Sequence, residues 1–201
     1  MASTSATSGR LPQQNRAAVR RASILRAAER LFAEVGYDSV TMTAIATQAQ
    51  ASVGALYDYF PDKLAVAVAL ITQYTHEAEA HWANYLQPSP DRDSAALAEV
   101  FMEGILAFAH SRPAYLPLFG APLANSRTKS DREPLRKTIA DALQRLKPSL
   151  TADRAFLNAQ VVVEIVRGML GVYRQATFTE QDAIVAEFKK VMRLYLADAL
   201  A

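Results

Sequence analysis

Between Gly36 and Lys63 the chain reads GYDSVTMTAIATQAQASVGALYDYFPDK, and two helix-start signals stand close together inside it. Thr41 and Ser52 each offer a hydroxyl that can accept from the backbone N–H groups left free at a helix start. The stretch is therefore read as two short helices joined by a tight turn. Ile45, Ala46 and Ala49 of the first can pack against Leu56 and Phe60 of the second, and the small residues let the two cross closely. That arrangement leaves Val53, Gly54, Ala55 and Tyr57 outside the core, at the beginning of a helix whose positive dipole end suits phosphate. A helix-turn-helix that reads duplex DNA is built in this way.

The surroundings are helical as well. From Arg16 to Val35, apolar residues at Ile24, Ala28, Leu31, Phe32 and Val35 form one stripe, with Arg16, Arg20, Arg26 and Arg30 on the other face. Gly36 follows, where a helix can end in a left-handed turn. Beyond Pro61 comes a long amphipathic pattern through Leu64, Ala67, Ile71, Tyr74, Ala78, His81 or Trp82, and Tyr85. A loop at Gln87 to Asp93 leads to a helix carrying Leu97, Phe101, Ile105 and Phe108. Ser111 to Pro134 holds four prolines and reads as short turns able to cover a cavity. A further helix is expected from about Asp131 to Leu146, then two last ones capped by Thr151 and Thr179, with Asp182 completing a capping-box-like pair. Strand-like alternation and fixed-period repeats are absent. The expected class is all-α: residues 1–14 a disordered tail, 15–62 a helix-turn-helix domain and 63–201 a second helical domain.

The pattern G-Y-x-x-x-T-x-x-x-I-A-x-x-A-x-x-S-x-G-x-L-Y-x-Y-F-x-x-K resembles the DNA-binding signature of TetR-type transcriptional regulators. The likeness is specific over about Ile24 to Leu70. It implies that Thr41 and Thr43 touch phosphate or base edges, that Ser52, Val53, Gly54 and Ala55 face the major groove, and that Tyr57, Tyr59 and Lys63 hold the phosphate backbone. One position departs: the interhelical turn, usually glycine, has Gln50, and a non-glycine residue held left-handed costs on the order of 1–2 kcal/mol. The groove-facing residues are poor in hydrogen-bonding groups, so discrimination would rest on thymine-methyl contacts, DNA shape and Thr43.

For the remaining two thirds the resemblance implies a homodimer, a small-molecule effector and repression of a palindromic operator. The stretch from Phe156 to Tyr173 is apolar nearly all round and must be covered on both sides. The dimer is expected to use Val162, Ile165, Met169, Phe188, Met192 and Tyr195, with Lys189, Lys190 and Arg193 pointing away. An effector cavity would be lined by a subset of Tyr74, Trp82, Tyr85, Phe101, Met102, Ile105, Phe108, Tyr115, Phe119, Met169 and Tyr173, with polar anchoring from groups such as His81, His110 or Arg167. Glu164 is the plain partner for Arg167. The effector would be mainly apolar or aromatic.

Composition limits the alternatives. The 201 residues are 51% hydrophobic, enough for a genuine core. A formal charge of only +2 carries no global polyanion signal, so a nucleic-acid footprint must be local. Residues 1–63 hold seven Arg/Lys and five Asp/Glu, and six of the seven cations precede Leu31. Without cysteine there is no thiol nucleophile or thiolate metal site, which suits a reducing cytoplasm. The first fifteen residues lack a signal-peptide core. Glu164 and Arg167 interrupt the most apolar stretch, so a soluble protein with no membrane partner is expected. His76 and His81 lie five apart, on different helix faces, rather than at the spacing of a zinc-protease pair. No nucleophile elbow, P-loop or dinucleotide fingerprint occurs, so no enzyme, metal or cofactor is expected.

Overall fold

The computed structural model describes residues 13–87, 93–119, 121 and 129–201, which fold into helices without strands. In chain order these are α1 (Gln13–Ser39), α2 (Met42–Gln48), α3 (Val53–Tyr57), α4 (Lys63–Tyr85), α5 (Ser94–Ser111), α6 (Tyr115–Phe119), α7 (Lys129–Leu146), α8 (Ala152–Tyr173) and α9 (Phe178–Ala199). Of the tail expected at residues 1–14, Gln13 and Gln14 are helical and the rest lies outside the described residues.

Side-chain oxygens set most of the helix starts. Thr41, Ser52, Asp62, Asp93 and Thr151 accept from Ala44, Ala55, Ala65, Ala96 and Arg154 backbone N–H groups, at 2.7–3.3 Å. The cap of α9 differs from expectation: it is Thr177, not Thr179, and its N–H and hydroxyl both donate to Glu180. Gly36 does interrupt α1, but at φ 76 and ψ 167, an extended mirror region open essentially to glycine alone, rather than in a left-handed helical turn. Val35, expected in the buried stripe, is exposed, and so is Leu64 at the start of α4.

Two apolar clusters hold the chain. One joins Ile24, Ala28, Phe32, Ile45, Leu56, Leu70 and Tyr74 to Phe108, Ala114 and Leu118. The other gathers Trp82, Leu97, Phe101, Leu143, Ala159, Met169, Met192 and Leu196. In the segment expected to form short turns, Ser111–Pro134, the described residues include α6, which inserts Leu118 into the first cluster, and the first turn of α7 from Lys129 on, while residues 120 and 122–128 lie outside the described residues. α8 is long and apolar enough by length and composition to cross a membrane, with Glu164 and Arg167 standing inside it. Its apolarity answers to packing: Ala155, Ala159, Val162, Val166, Met169 and Leu170 are buried against neighbouring helices. α9 is fastened to α5 by Lys189 and Arg193, which do not simply point away: Lys189 lies 2.5 Å from Glu99 and 3.7 Å from Glu103, and Arg193 3.5 Å from Glu99.

Candidate nucleic-acid interface and effector cavity

α2 and α3 pack through Ile45, Ala46 and Ala49 on one side and Leu56 and Phe60 on the other, all buried. Burying Leu56 turns the opposite face of α3 outward: Val53 is 38% and Tyr57 51% exposed, and Ser52 and Gly54 on either side of Val53 are exposed too. A Cβ placed on Gly54 would meet nothing within 4 Å. Thr41 and Thr43 are exposed on α2, and Ala55 is half-buried. Tyr59 is half-buried against the first cluster, so its ring is partly a core side chain.

Gln50 forms the turn between α2 and α3 at φ 52, the left-handed conformation its place in the motif demanded. Arg20 of α1 reaches the carbonyl of Gln50 at 3.4 Å, which sets a guanidinium beside the turn. Arg21 lies over the Phe60 ring, 5.3 Å from its centroid. Lys63, expected to hold phosphate, is engaged within the domain in the absence of DNA. Its ammonium donates to the carbonyls of Tyr37 at 2.8 Å and Asp38 at 3.1 Å and sits 4.5 Å from the Tyr37 ring centroid. In this conformation it braces the start of α4 against the end of α1.

A cavity of about 120 Å³ opens among α4, α5, α6, α7 and α8. Of the residues expected around it, Tyr74, Trp82, Phe101, Ile105, Phe108, Tyr115 and Phe119 form its wall. Four of the expected residues stand elsewhere. Tyr85 stacks on His81 at 4.6 Å between centroids, Met169 is wholly inside the second cluster, and the Tyr173 hydroxyl is 3.3 Å from His110. Met102 is likewise buried in that cluster and not in the wall. Of the expected anchors, Arg167 is in the wall. His81 is engaged by the Gly104 carbonyl at 2.8 Å and by its ring neighbours. The wall also includes Thr75, Val166 and Arg136, which sequence patterning missed. No periodicity could have found Arg136, because its place depends on how α7 lies against α8.

The cavity is tied to the helix-turn-helix side of the molecule at two points. The Tyr74 hydroxyl donates to Glu29 of α1 at 2.6 Å. α6 turns Tyr115 and Phe119 to the cavity and Leu118 to the core of α1. Burial, then the hydrogen bond to Glu29, raise the pKa of Tyr74 far above the ordinary phenol range.

On α8 and α9 large apolar side chains are left uncovered: Leu157, Val172, Val191 and Leu194 are exposed, and Phe178 is 87% exposed. Of the residues expected to build a dimer there, Val162, Met169 and Met192 are fully buried within the protomer, because the inner stripe of each helix is consumed by α5 and α7. They are corrected to core residues. Ile165, Phe188 and Tyr195 are partly buried, and Tyr195 donates to Asn158 at 3.1 Å.

Comparison with known proteins accords with this geometry. Residues 24–70 match the family described as bacterial regulatory proteins, tetR family, and residues 93–196 match a tetracyclin repressor-like C-terminal domain. Among curated proteins no sequence matches. A TetR-family transcriptional regulator from Streptomyces coelicolor superposes with a TM-score of 0.71 at 22% identity, over 90% of this chain and 99% of that one. A TetR-family regulator from Pectobacterium atrosepticum gives 0.72 at 18% identity, over 94% and 98%. A TetR from Acinetobacter baumannii, in complex with minocycline, gives 0.59 at 20% identity, over 94% and 96%. At such identities these likenesses speak to the fold, while the two family matches cover α2 and α3 in one case and α5 to α8 in the other. The chain is a transcriptional regulator of the tetR family, with a helix-turn-helix DNA-binding domain.

Proposed function

We propose that this regulator is a ligand-responsive repressor that grips a palindromic operator as a homodimer and lets go when a small, mainly apolar effector enters the cavity. One observation carries the DNA-reading part: the start of α3 is free in solvent, with Val53 and Tyr57 exposed and Gly54 unobstructed. Ser52, Val53, Gly54 and Ala55 then enter the major groove, and Thr41, Thr43 and Tyr57 hold its edges. Phosphate contacts position such a head, and base contacts specify. Tyr59 contributes through its hydroxyl edge, and Lys63 by rigidifying the head rather than by gripping phosphate.

The uncovered side chains of α8 and α9 form the dimerisation surface. Exposed apolar side chains grouped on two adjacent helices favour association, and a two-fold pairing sets two reading heads for half-sites about 34–36 Å or a multiple apart. Contacts come from Leu157, Ile165, Val172, Phe178, Phe188, Val191 and Leu194. The chain acts in the bacterial cytoplasm, where its DNA lies. A DNA-binding dimer without a ligand is the second reading. The cavity at the junction of five helices favours the first, because apolar space in a close-packed protein is otherwise costly.

The test is a gel shift on the DNA upstream of its own gene, combined with light scattering. Retardation that weakens steeply with salt, from a species of twice the 22.0 kDa protomer mass, is expected. A monomer at micromolar concentration, or no salt-dependent retardation, would end the proposal.

A further inference from the structure

On the reading of the cavity as the effector site, we infer that its ligand is a small carboxylate of about one aromatic ring, held by the guanidinium groups of Arg136 and Arg167. Size comes first. An engineered cavity of about 150 Å³ lined by Leu, Ile and Phe takes up benzene, and the present cavity, about 120 Å³ and walled by Trp82, Phe101 and Phe108, is of that order. Drug-sized ligands need roughly 300–1,000 Å³. A single ring or a short branched chain fits without rearrangement.

Charge comes second. The wall contains two arginines and neither aspartate nor glutamate. Glu164 serves both at long range, 3.8 Å from Arg136 and 3.4 Å from Arg167, with more than half of its own side chain in solvent. Charge-assisted N–H···O bonds close at about 2.7–2.9 Å, so one distant carboxylate leaves this pair under-neutralised. The Arg136 side chain is only 16% exposed, and its Nε has no hydrogen-bond partner among the described residues. A buried charged donor without an acceptor is a costly state. An incoming carboxylate supplies the missing acceptor and the missing negative charge together, and its ring occupies the apolar end. Arg167, 5.9 Å from the Phe119 ring centroid, already bridges the polar and aromatic parts of the wall. Acids nearer α1 are spent otherwise: Glu77 pairs with Arg112, and Glu29 accepts from Tyr74.

Trp82 is the one tryptophan of the chain and stands in the wall, so its emission reports occupancy directly. The full-length protein is titrated with benzoate, its neutral isostere benzamide, and toluene, and the same compounds are added to the DNA gel shift. Benzoate is expected to perturb Trp82 at a concentration at least ten-fold lower than benzamide, and Arg136→Met to abolish that preference while leaving toluene binding within two-fold. Arg167→Gln, at a more exposed position, is expected to reduce the preference and guards against a misfolded Arg136 variant. Equal affinity for benzoate and benzamide, or a preference unchanged in both variants, overturns the carboxylate assignment and leaves the effector site standing. Silence of Trp82 toward all three compounds to millimolar concentration overturns the assignment as well. Ligands that perturb Trp82 but never loosen DNA count against the effector reading alone.

Discussion

The hydroxyl of Tyr74 donates to the carboxylate of Glu29 at 2.6 Å, so a residue in the cavity wall is bonded to the helix that carries the reading head. The ring of Tyr74 also meets Tyr115 of α6 edge-on at 6.0 Å. A ligand that displaces this ring disturbs both connections between the cavity and α1. A ligand can shift a two-state equilibrium only by its differential affinity for the two states, and this is where the difference would arise.

Tyr74→Phe removes the hydrogen bond while preserving the ring. A bond to a charged acceptor contributes about 1.5–3 kcal/mol, and a loss in that range is expected in urea unfolding of the variant. DNA affinity in the absence of ligand should change little, while release by ligand should be blunted. Full ligand response in the variant would remove Tyr74 from the coupling.

Alkaline pH should destabilise the protein. Burial foremost raises the phenol pKa of Tyr74, Tyr37 and Tyr195. The unfolded chain releases these protons near pH 10 while the folded chain keeps them, so the stabilisation is present below pH 10 and declines as pH rises beyond it. For the well-buried Tyr74 the slope reaches about 1.4 kcal/mol per pH unit. Denaturation midpoints between pH 9 and 11 check the sign, and Tyr74→Phe should flatten the decline.

Gly54→Ala separates folding from DNA reading. The added methyl meets no protein atom, and alanine is the better helix former by up to about 1 kcal/mol, so stability should hold or rise. If α3 lies in the major groove the methyl intrudes there, and operator affinity should fall by roughly ten-fold, a cost of about 1.4 kcal/mol. Unchanged affinity in a gel shift would mean that DNA does not approach this position.

Gly104→Ala should act in the opposite sense. A Cβ there would lie 2.8 Å from the ring of Trp82 and 3.1 Å from that of Tyr85, so these rings must shift, Trp82 toward the cavity that it lines. Overpacking of this kind costs about 1–3 kcal/mol. A lowered melting temperature with a shifted Trp82 emission is expected, and DNA binding by the folded fraction should persist.

What the sequence determined by itself was everything that depends on short range. Thr41 and Ser52 start their helices because a hydroxyl next to free N–H groups acts within three residues, and Leu56 and Phe60 face inward because they are one helical turn apart. Tyr74, Trp82, Phe101 and Phe108 were legible as inward-facing from their helical spacing, while their place around a cavity came only from the family resemblance. The tertiary structure decided matters that depend on which face of a helix meets which neighbour. Val162, Met169 and Met192 look as ready for a partner subunit as Leu194 does, and only the seating of α8 and α9 on α5 and α7 buried the first three and left the last outside. The same seating brought Arg136 beside Arg167 across two helices, and Lys63 back onto the carbonyls of Tyr37 and Asp38. Periodicity fixes angle about one helix axis and carries no information on the distance between two, which the packing of the whole core supplies.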